Sequence, residues 1–145
     1  MSLNKTFLFT MVFFLSACGF HLKTNQLSFD FSQVEPKFER ERFIQLGGSL
    51  GVQNSPSASI IISDYKIEPK LISDKNTGNK WRQYEYNASW KIKYNQKIET
   101  ISASEEINIP SNQSPYQTQI ISNQLDSLRI QLMKHTVTHI ETFNQ

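Results

Sequence analysis

Cys18 is the residue with the most definite chemistry in this sequence, because it is the only cysteine and it follows a short apolar run. The run covers residues 7–15, is broken only by Thr10, and is preceded by the positive charge of Lys5. A charged start, a short apolar stretch and small residues after it are typical of a secretory signal. The run is far shorter than the roughly 20 residues that span a bilayer. The sequence therefore predicts an exported chain whose cysteine thiol becomes available at the membrane.

The segment Leu15 to Cys18, Leu-Ser-Ala-Cys, resembles the lipobox of bacterial lipoproteins, in which small residues precede the cysteine that is acylated. The resemblance implies a signal peptide over residues 1–17 and a single periplasmic domain over residues 18–145. Several acyl chains would make the attachment effectively permanent, since each buried CH₂ contributes about 0.8 kcal/mol. Gly19 follows the cysteine and, by resemblance to the Gram-negative sorting signal, favours the periplasmic face of the outer membrane. The alternative is a small buried cysteine near the end of a transmembrane anchor.

Positive charge gathers around one predicted turn, where Lys75, Lys80 and Arg82 flank Trp81. Cations beside an aromatic ring can hold a phosphorylated amphiphile, with the charges on the phosphates and the ring against an acyl chain or a sugar. The alternative is an ordinary solvated loop.

Two further patterns could carry catalysis or metal binding, and both are incomplete. Residues 47–51 match the G-x-S-x-G motif of hydrolases around Ser49, but that motif needs a strand before it and a helix after it, the reverse of the order predicted here. We interpret it as a helix stop.

His135 and His139 are four residues apart on a predicted helix and could share a metal ion, but no acidic or cysteine ligand completes the set. Two ordinary helix histidines are the simpler interpretation, so we expect no enzyme, no metal and no cofactor.

The composition indicates one globular domain of balanced charge. The 145 residues are 38% hydrophobic and 12% aromatic, which supports a packed core and argues against disorder. The 15 Lys and Arg residues nearly balance the 13 Asp and Glu residues, which is not the pattern of a general nucleic-acid binder. A single cysteine cannot form an internal disulfide.

Apolar periodicity predicts the order strand, helix, three strands, helix. Alternation of apolar and polar residues predicts strands over residues 27–31, 59–72, 83–95 and 98–109. The third strand has the cleanest alternation, and its apolar face is predicted to carry Tyr84, Tyr86, Ala88, Trp90, Ile92 and Tyr94. Steps of three and four predict one helix that begins near Pro36 and ends at Gly47 and Gly48. They predict a second helix over residues 116–143, with an apolar stripe of Ile121, Leu125, Leu128 and Leu132. Hairpin-joined strands with helices on one side give an α+β two-layer sandwich. We expect a four-stranded, mainly antiparallel sheet with two helices packed on one face.

Three local details are also predicted. Residues 32–35 fit a capping box before the first helix, in which the charged residues 39–42 precede the apolar Phe43. In the second strand, Ile61, Tyr65, Ile67 and Leu71 are expected to share one face. Pro69 predicts that the far end of this strand is an edge or has stopped pairing.

Residues 18–23, Cys-Gly-Phe-His-Leu-Lys, resemble the mature start of the lipopolysaccharide-assembly lipoprotein family LptE. Members of that family commonly begin with cysteine, glycine, an aromatic residue, histidine, leucine and a basic residue. The order of predicted elements matches the family as well, and residues 84–90, Tyr-Glu-Tyr-Asn-Ala-Ser-Trp, resemble its third strand.

The resemblance implies a role without catalysis. Members of the family plug the lumen of the β-barrel translocon LptD, assist its assembly, and bind lipopolysaccharide during its delivery to the outer leaflet. Basic residues in the loop between the second and third strands are linked to that binding, which implies lipopolysaccharide contacts for Lys80 and Arg82, with Lys75 beside them. A second hypothesis is a membrane-anchored scaffold or cell-wall-binding lipoprotein without a lipid ligand.

Overall fold

The computed structural model describes residues 27–75, 81–110 and 115–143. The elements in chain order are β1 Ser28–Gln33, α1 Lys37–Gly47, β2 Gln53–Asn54, β3 Ile60–Lys75, β4 Trp81–Tyr94, β5 Lys97–Pro110 and α2 Pro115–Phe143. The predicted signal peptide and lipidation site, Cys18 included, lie outside the described residues, and so does Lys80.

The strands form one mixed sheet in the order β2-β1-β3-β4-β5. β1 is parallel to both β2 and β3, whereas β3, β4 and β5 are antiparallel neighbours. Parallel neighbours need a crossover connection, and α1 lies in the one between β1 and β3. The predicted meander of three consecutive strands is confirmed, because β3, β4 and β5 are antiparallel neighbours in chain order. The predicted count of four strands is wrong by one, because the two residues of β2 are too few to show an alternating pattern.

Both helices pack on the same face of the sheet, around Trp90 of β4. The ring of Phe43 on α1 lies with its centroid 4.8 Å from that of Trp90. From α2, the Thr136 hydroxyl oxygen accepts a hydrogen bond of 2.9 Å from the Trp90 indole nitrogen. One side chain projects from only one face of its strand, so helices that both touch Trp90 share that face. The predicted two-layer α+β sandwich is confirmed.

A bulge in β3 changes which residues of that strand face the helices. Asp64 has a positive φ of 51°, and the pairing register with β4 shifts between Ser63 and Lys66. The buried residues are consequently Ile60 and Ile62 before the bulge and Tyr65 after it. The prediction that Ile61 shares the face of Tyr65 is wrong, because the extra residue of a bulge reverses the alternation of side chains.

The first helix begins where predicted but without the predicted capping box. Its N-cap is Pro36, with no side-chain hydrogen bond at the cap. Ser32 belongs to β1, which is longer than predicted, and its backbone N–H donates to the Asp30 carboxylate over 2.8 Å. The strand conformation of Ser32 therefore prevents it from capping the helix.

The prediction for Pro69 is confirmed in part. β1 pairs with β3 only as far as Ser63, so the second half of β3 has β4 on one side and no strand of the described chain on the other. Pro69 lies in this half, opposite Tyr86. The strand itself does not stop there, since its pairing with β4 continues to Lys75.

The last helix shows the predicted stripe, with Leu128 and Leu132 fully buried against the sheet. Burying an apolar side chain of this size stabilises a fold by about 1.5–3 kcal/mol. Within the described part of the chain, neither helix is long and apolar enough to cross a membrane.

Candidate functional site

The sheet has two distinct ends, because strands of 16, 14 and 14 residues run along its whole length. At about 3.4 Å per residue, the 14 residues of β4 span roughly 45 Å. At one end the β4–β5 turn meets the start of β1 and the end of α2. At the other end the connection between β3 and β4 lies beyond Lys75 and Trp81, which face each other across the ladder.

We call the first of these the N-terminal end, defined by Leu27, Ile60, Tyr94, Lys97 and Phe143. Phe29 pairs with Ile60, which places the start of β1 beside the start of β3. Tyr94 pairs with Lys97 across the β4–β5 turn, and the Lys97 ammonium lies 5.2 Å from the ring centroid of Phe143 in the last turn of α2. The chain therefore enters the domain at the end where the β4–β5 turn and the C-terminal end of α2 meet.

We call the other end the loop end, and the predicted cations are grouped there. Asp74 pairs with Arg82, and Lys75 pairs with Trp81, so the backbones of Lys75 and Arg82 are neighbours across the ladder. The Arg82 side chain is exposed, whereas Lys80 and the side chains of Lys75 and Trp81 lie outside the described part of the structure. Two of the three predicted cations are thus brought together at the backbone level.

An apolar strip adjoins Arg82 on the helix-facing side of the loop end. It comprises Leu71, Tyr84, Tyr86 and Ile109, and Ile72 follows Leu71 in the chain at a register shift. Leu71 is 50% exposed and Ile72 is 45% exposed. Leu71 pairs with Tyr84, whose ring centroid is 6.2 Å from that of Tyr86, and Ile109 pairs with Arg82.

The strip keeps an apolar character despite its two phenols. Burial raises the pKa of Tyr86 above its ordinary value, with the neighbouring Tyr84 as a smaller cause, so this phenol stays neutral at physiological pH. The alternating pattern of the sequence predicted the shared face of the two tyrosines but not the exposure of Leu71 and Ile72. A cation beside a neutral, partly exposed apolar strip can contact both the phosphate and the acyl parts of an amphiphile.

The hydrolase-like motif lies at the end of the first helix. Ser49 lies in a single 3₁₀ turn, Gly48–Leu50, that directly follows α1. Its hydroxyl donates to the carbonyl of Leu46 over 2.7 Å, and Gly51 closes the segment with a φ of 71°. The chain therefore uses this motif to end a helix, as the sequence predicted.

The two histidines of α2 have separate partners on β5. The Nδ1 atom of His135 lies 3.0 Å from the Ser102 carbonyl oxygen, and the Nε2 atom of His139 pairs with the Glu99 carboxylate. Across the residues that the structure describes, no three His, Cys, Asp or Glu side chains are grouped as metal ligands would be.

A cleft of about 130 Å³ lies at the N-terminal end of the sheet, between β4, β5 and the last turns of α2. Its lining combines apolar and charged side chains, which are Ile92, Ile140 and Phe143 with Lys97, Glu99 and His139. The cleft is at the opposite end of the sheet from the predicted cation cluster.

A charged network between the helices was not predicted from the sequence. Arg129 of α2 binds Glu39 of α1 and also Asp126, which in turn accepts a hydrogen bond of 2.8 Å from Arg42 of α1. Burial, with a smaller contribution from the Glu39 charge, raises the pKa of the adjacent Tyr65 to about 12. Two cations and two anions cancel, so this network joins the helices and offers no net charge to a ligand.

No protein-family model and no curated protein matches this chain in sequence. Solved structures that are similar to it include two lipoproteins. The crystal structure of the rare lipoprotein B from Shewanella oneidensis aligns with a TM-score of 0.51 and 14% identity, over 83% of this chain and 99% of that one. This chain has the same α+β fold as that lipoprotein. The crystal structure of a minor lipoprotein from Acinetobacter baumannii aligns with a TM-score of 0.52 and 14% identity, over 81% of this chain and 91% of that one.

Proposed function

We propose that this chain is an outer-membrane lipoprotein that plugs and helps assemble a β-barrel translocon of the LptD type and binds lipopolysaccharide during its transport to the outer leaflet. The lipoprotein part is supported by the lipobox-like segment before Cys18 and by the fold, which resembles two proteins that are named as lipoproteins. The translocon part is supported by the resemblance of residues 18–23 and 84–90 to the LptE family. The proposal includes no catalytic step.

The observation that carries the proposal is the separation of the two ends of the sheet. The chain enters at the N-terminal end, and Lys75 and Arg82 lie at the loop end, roughly 45 Å away along β4 at about 3.4 Å per residue. A bilayer with its headgroups is about 40–45 Å thick. If the lipid on Cys18 holds the N-terminal end at the periplasmic leaflet, a domain upright inside a barrel carries its loop end to the level of the outer leaflet. The basic residues would then meet lipopolysaccharide phosphates.

The sheet face opposite the helices suits the wet interior of a barrel. Small polar side chains occupy its centre, where Ser89 pairs with Ser102 and Asn87 pairs with Ser104. Asn87, Ser102 and Ser104 are exposed, and neither helix covers this face. The lumen of an outer-membrane barrel is polar, so a face rich in hydroxyl and amide groups can form hydrogen bonds with it. We call this the polar sheet face.

Photo-crosslinking tests the plug directly. A p-azidophenylalanine in place of Asn87 projects from the polar sheet face, whereas the same residue in place of Phe43, which is fully buried, projects into the core. In outer membranes we expect the Asn87 variant to crosslink to one large β-barrel protein and the Phe43 variant to crosslink to none. Absence of a barrel adduct at Asn87 would remove the polar sheet face from the interface.

Charge reversal tests the lipid site. The double variant K80E/R82E should lose most of its lipopolysaccharide binding, while its fold is retained because the Arg82 side chain is exposed and Lys80 precedes β4 in the sequence. The matched control is K66E/K134E, which makes the same charge change at two exposed positions away from the connection between β3 and β4. Equal binding by both variants would exclude the loop from the site. If neither the variants nor the unsubstituted protein binds lipopolysaccharide, the result would favour an anchored scaffold without a lipid ligand.

A further inference from the structure

Exposed apolar side chains and cations occur on both faces of the sheet at its N-terminal end. Ile98 is 65% exposed and Phe143 is 54% exposed. Lys97 directly precedes Ile98 in β5, so the two side chains project from opposite faces of the sheet, and the Lys97 ammonium lies 5.2 Å from the Phe143 ring centroid. Lys93, which pairs with Ile98, adds a second exposed cation. The nearest acidic group on β5, Glu99, is engaged by His139.

The predicted lipid attachment is close to this surface. The Leu27 carbonyl accepts a hydrogen bond of 2.9 Å from the backbone N–H of Gln53, which fixes the point where the chain enters the domain at the same end of the sheet. Residues 19–26 separate Leu27 from Cys18. Even a fully extended chain of this length reaches only about 30 Å. A membrane that holds the lipid is thus kept within about 30 Å of Leu27, which lies at the same end of the sheet as Phe143 and Ile98.

We propose that, before the lipoprotein joins its barrel, its N-terminal end rests on the phospholipid surface beside its own lipid. Phe143 and Ile98 enter the boundary between headgroups and acyl chains, and Lys97 lies beside lipid phosphates. Apolar side chains flanked by snorkelling cations bind bilayers in this way. The proposal rests on the proposed lipid anchor at Cys18 but not on the barrel or on lipopolysaccharide binding.

The cleft strengthens the assignment of a lipid surface as the occupant. Phe143 and Lys97 are both part of its lining, so the cleft opens beside the proposed contact. A lipid that reaches Phe143 therefore also reaches the mouth of the cleft. The contact would also orient the free lipoprotein, with the long axis of the sheet directed away from the membrane and the loop end farthest from it.

Quenching of tryptophan by brominated lipids tests the contact. The acylated, full-length protein is reconstituted into vesicles of phosphatidylethanolamine and phosphatidylglycerol, with and without bromine on the acyl chains. F143W places a tryptophan at the proposed contact, and L71W places one at the loop end, where Leu71 is 50% exposed. The emission of Trp81 and Trp90 is subtracted with the unsubstituted protein. We expect brominated lipid to reduce the emission of F143W and to leave that of L71W unchanged.

Two other results would overturn the proposal in distinguishable ways. If the protein floats with the vesicles but F143W is quenched no more than L71W, the anchor holds and the surface contact is wrong. If the acylated protein does not float, the lipoprotein proposal itself fails, and the contact fails with it.

Discussion

Arg129 of α2 and Glu39 of α1 form a buried, two-fold hydrogen-bonded ion pair. The Arg129 Nε donates to Glu39 Oε2 over 2.8 Å, and Nη2 donates to Oε1 over 2.7 Å. Their side chains are 9% and 6% exposed. Arg129 Nη1 also donates to Asp126 over 2.9 Å, and Asp126 accepts from Arg42 of α1. The two helices are therefore joined by an alternating row of charges above the sheet.

Replacing Arg129 by methionine should strongly destabilise the domain. The change leaves the Glu39 carboxylate buried without its partner, and breaking a buried pair in this way costs about 3–5 kcal/mol. Chemical denaturation measures the free energy of unfolding. The control is K37M, because Lys37 pairs with Glu41 at the surface, with 74% and 64% of the side chains exposed, and such pairs contribute about 0.5 kcal/mol. A similar loss in both variants would show that the buried pair has no special role.

Asp126 should make the stability of the domain depend on pH in the acid range. The hydrogen bond from Arg42, with further help from the charges of Arg42 and Arg129, holds the pKa of Asp126 below its ordinary value. A carboxyl group whose pKa is lowered by folding adds stability at pH values above its unfolded-state pKa of about 3.9. That stability is lost as the pH falls through the folded-state pKa.

D126N removes this titration while keeping the shape of the side chain. The unsubstituted protein should be more stable than D126N at neutral pH, and the difference should shrink as pH falls below about 4. Denaturation midpoints measured from pH 2 to 7 give this difference directly. A difference that stays constant with pH would mean that Asp126 does not titrate as the structure indicates.

The hydrogen bond between Trp90 and Thr136 offers a test of the core. T136V keeps the size of the side chain but removes the acceptor of the indole N–H, which is left buried and unpaired. A buried donor without a partner costs about 1–3 kcal/mol. Thr136 itself donates to the Leu132 carbonyl of its helix over 2.9 Å. The matched control is T142V, because Thr142 likewise donates to carbonyls of its own helix, at 2.9 Å and 2.8 Å, but is exposed. Equal unfolding free energies for the two variants would contradict a buried hydrogen bond.

The β4–β5 turn should be improved by glycine. Asn95 and Gln96 both have positive φ, 48° and 65°, which a two-residue hairpin turn of the primed type requires. Glutamine is strained there by about 1–2 kcal/mol relative to glycine. Q96G should therefore raise the midpoint of thermal unfolding, and Q96A should not. An equal change in the two variants would indicate that backbone strain at this position is negligible.

Sequence reasoning predicted the parts of the fold in which one periodicity extends over many residues. The alternation along β4 placed Ala88, Trp90 and Ile92 on the buried face, and the steps along the last helix placed Leu128 and Leu132 there. These patterns arise from local geometry, so a single sequence contains them. The bulge at Asp64 breaks the alternation without a clear local signal, since aspartate is also common at ordinary exposed strand positions.

The helix-joining network was missed for a different reason. Arg129 and Glu39 are 90 residues apart in the sequence, and no local pattern relates them. A partial signal was present, because Glu39 lies four residues before the buried Phe43 and Arg129 lies next to the buried Leu128. A charge on an apolar stripe can indicate a buried partner, but only the packing of the helices shows which charge is its partner.

The proposed site was predicted as a set of cations, and the structure adds where that set lies. Lys75 and Arg82 could be grouped from the turn alone. The parallel pairing of β1 with β3 places the start of β1 at the opposite end of the sheet from these two residues, roughly 45 Å away along β4 at about 3.4 Å per residue. That pairing depends on the crossover through α1, which no local pattern specifies.

The central claim is that this chain plugs a large outer-membrane β-barrel. Affinity purification of the intact lipoprotein from detergent-solubilised outer membranes, followed by mass spectrometry and limited proteolysis, tests it most directly. We predict that one large β-barrel co-purifies in a stoichiometric amount and protects the chain from protease. Recovery of the chain alone and fully sensitive to protease would contradict the claim and favour an anchored scaffold.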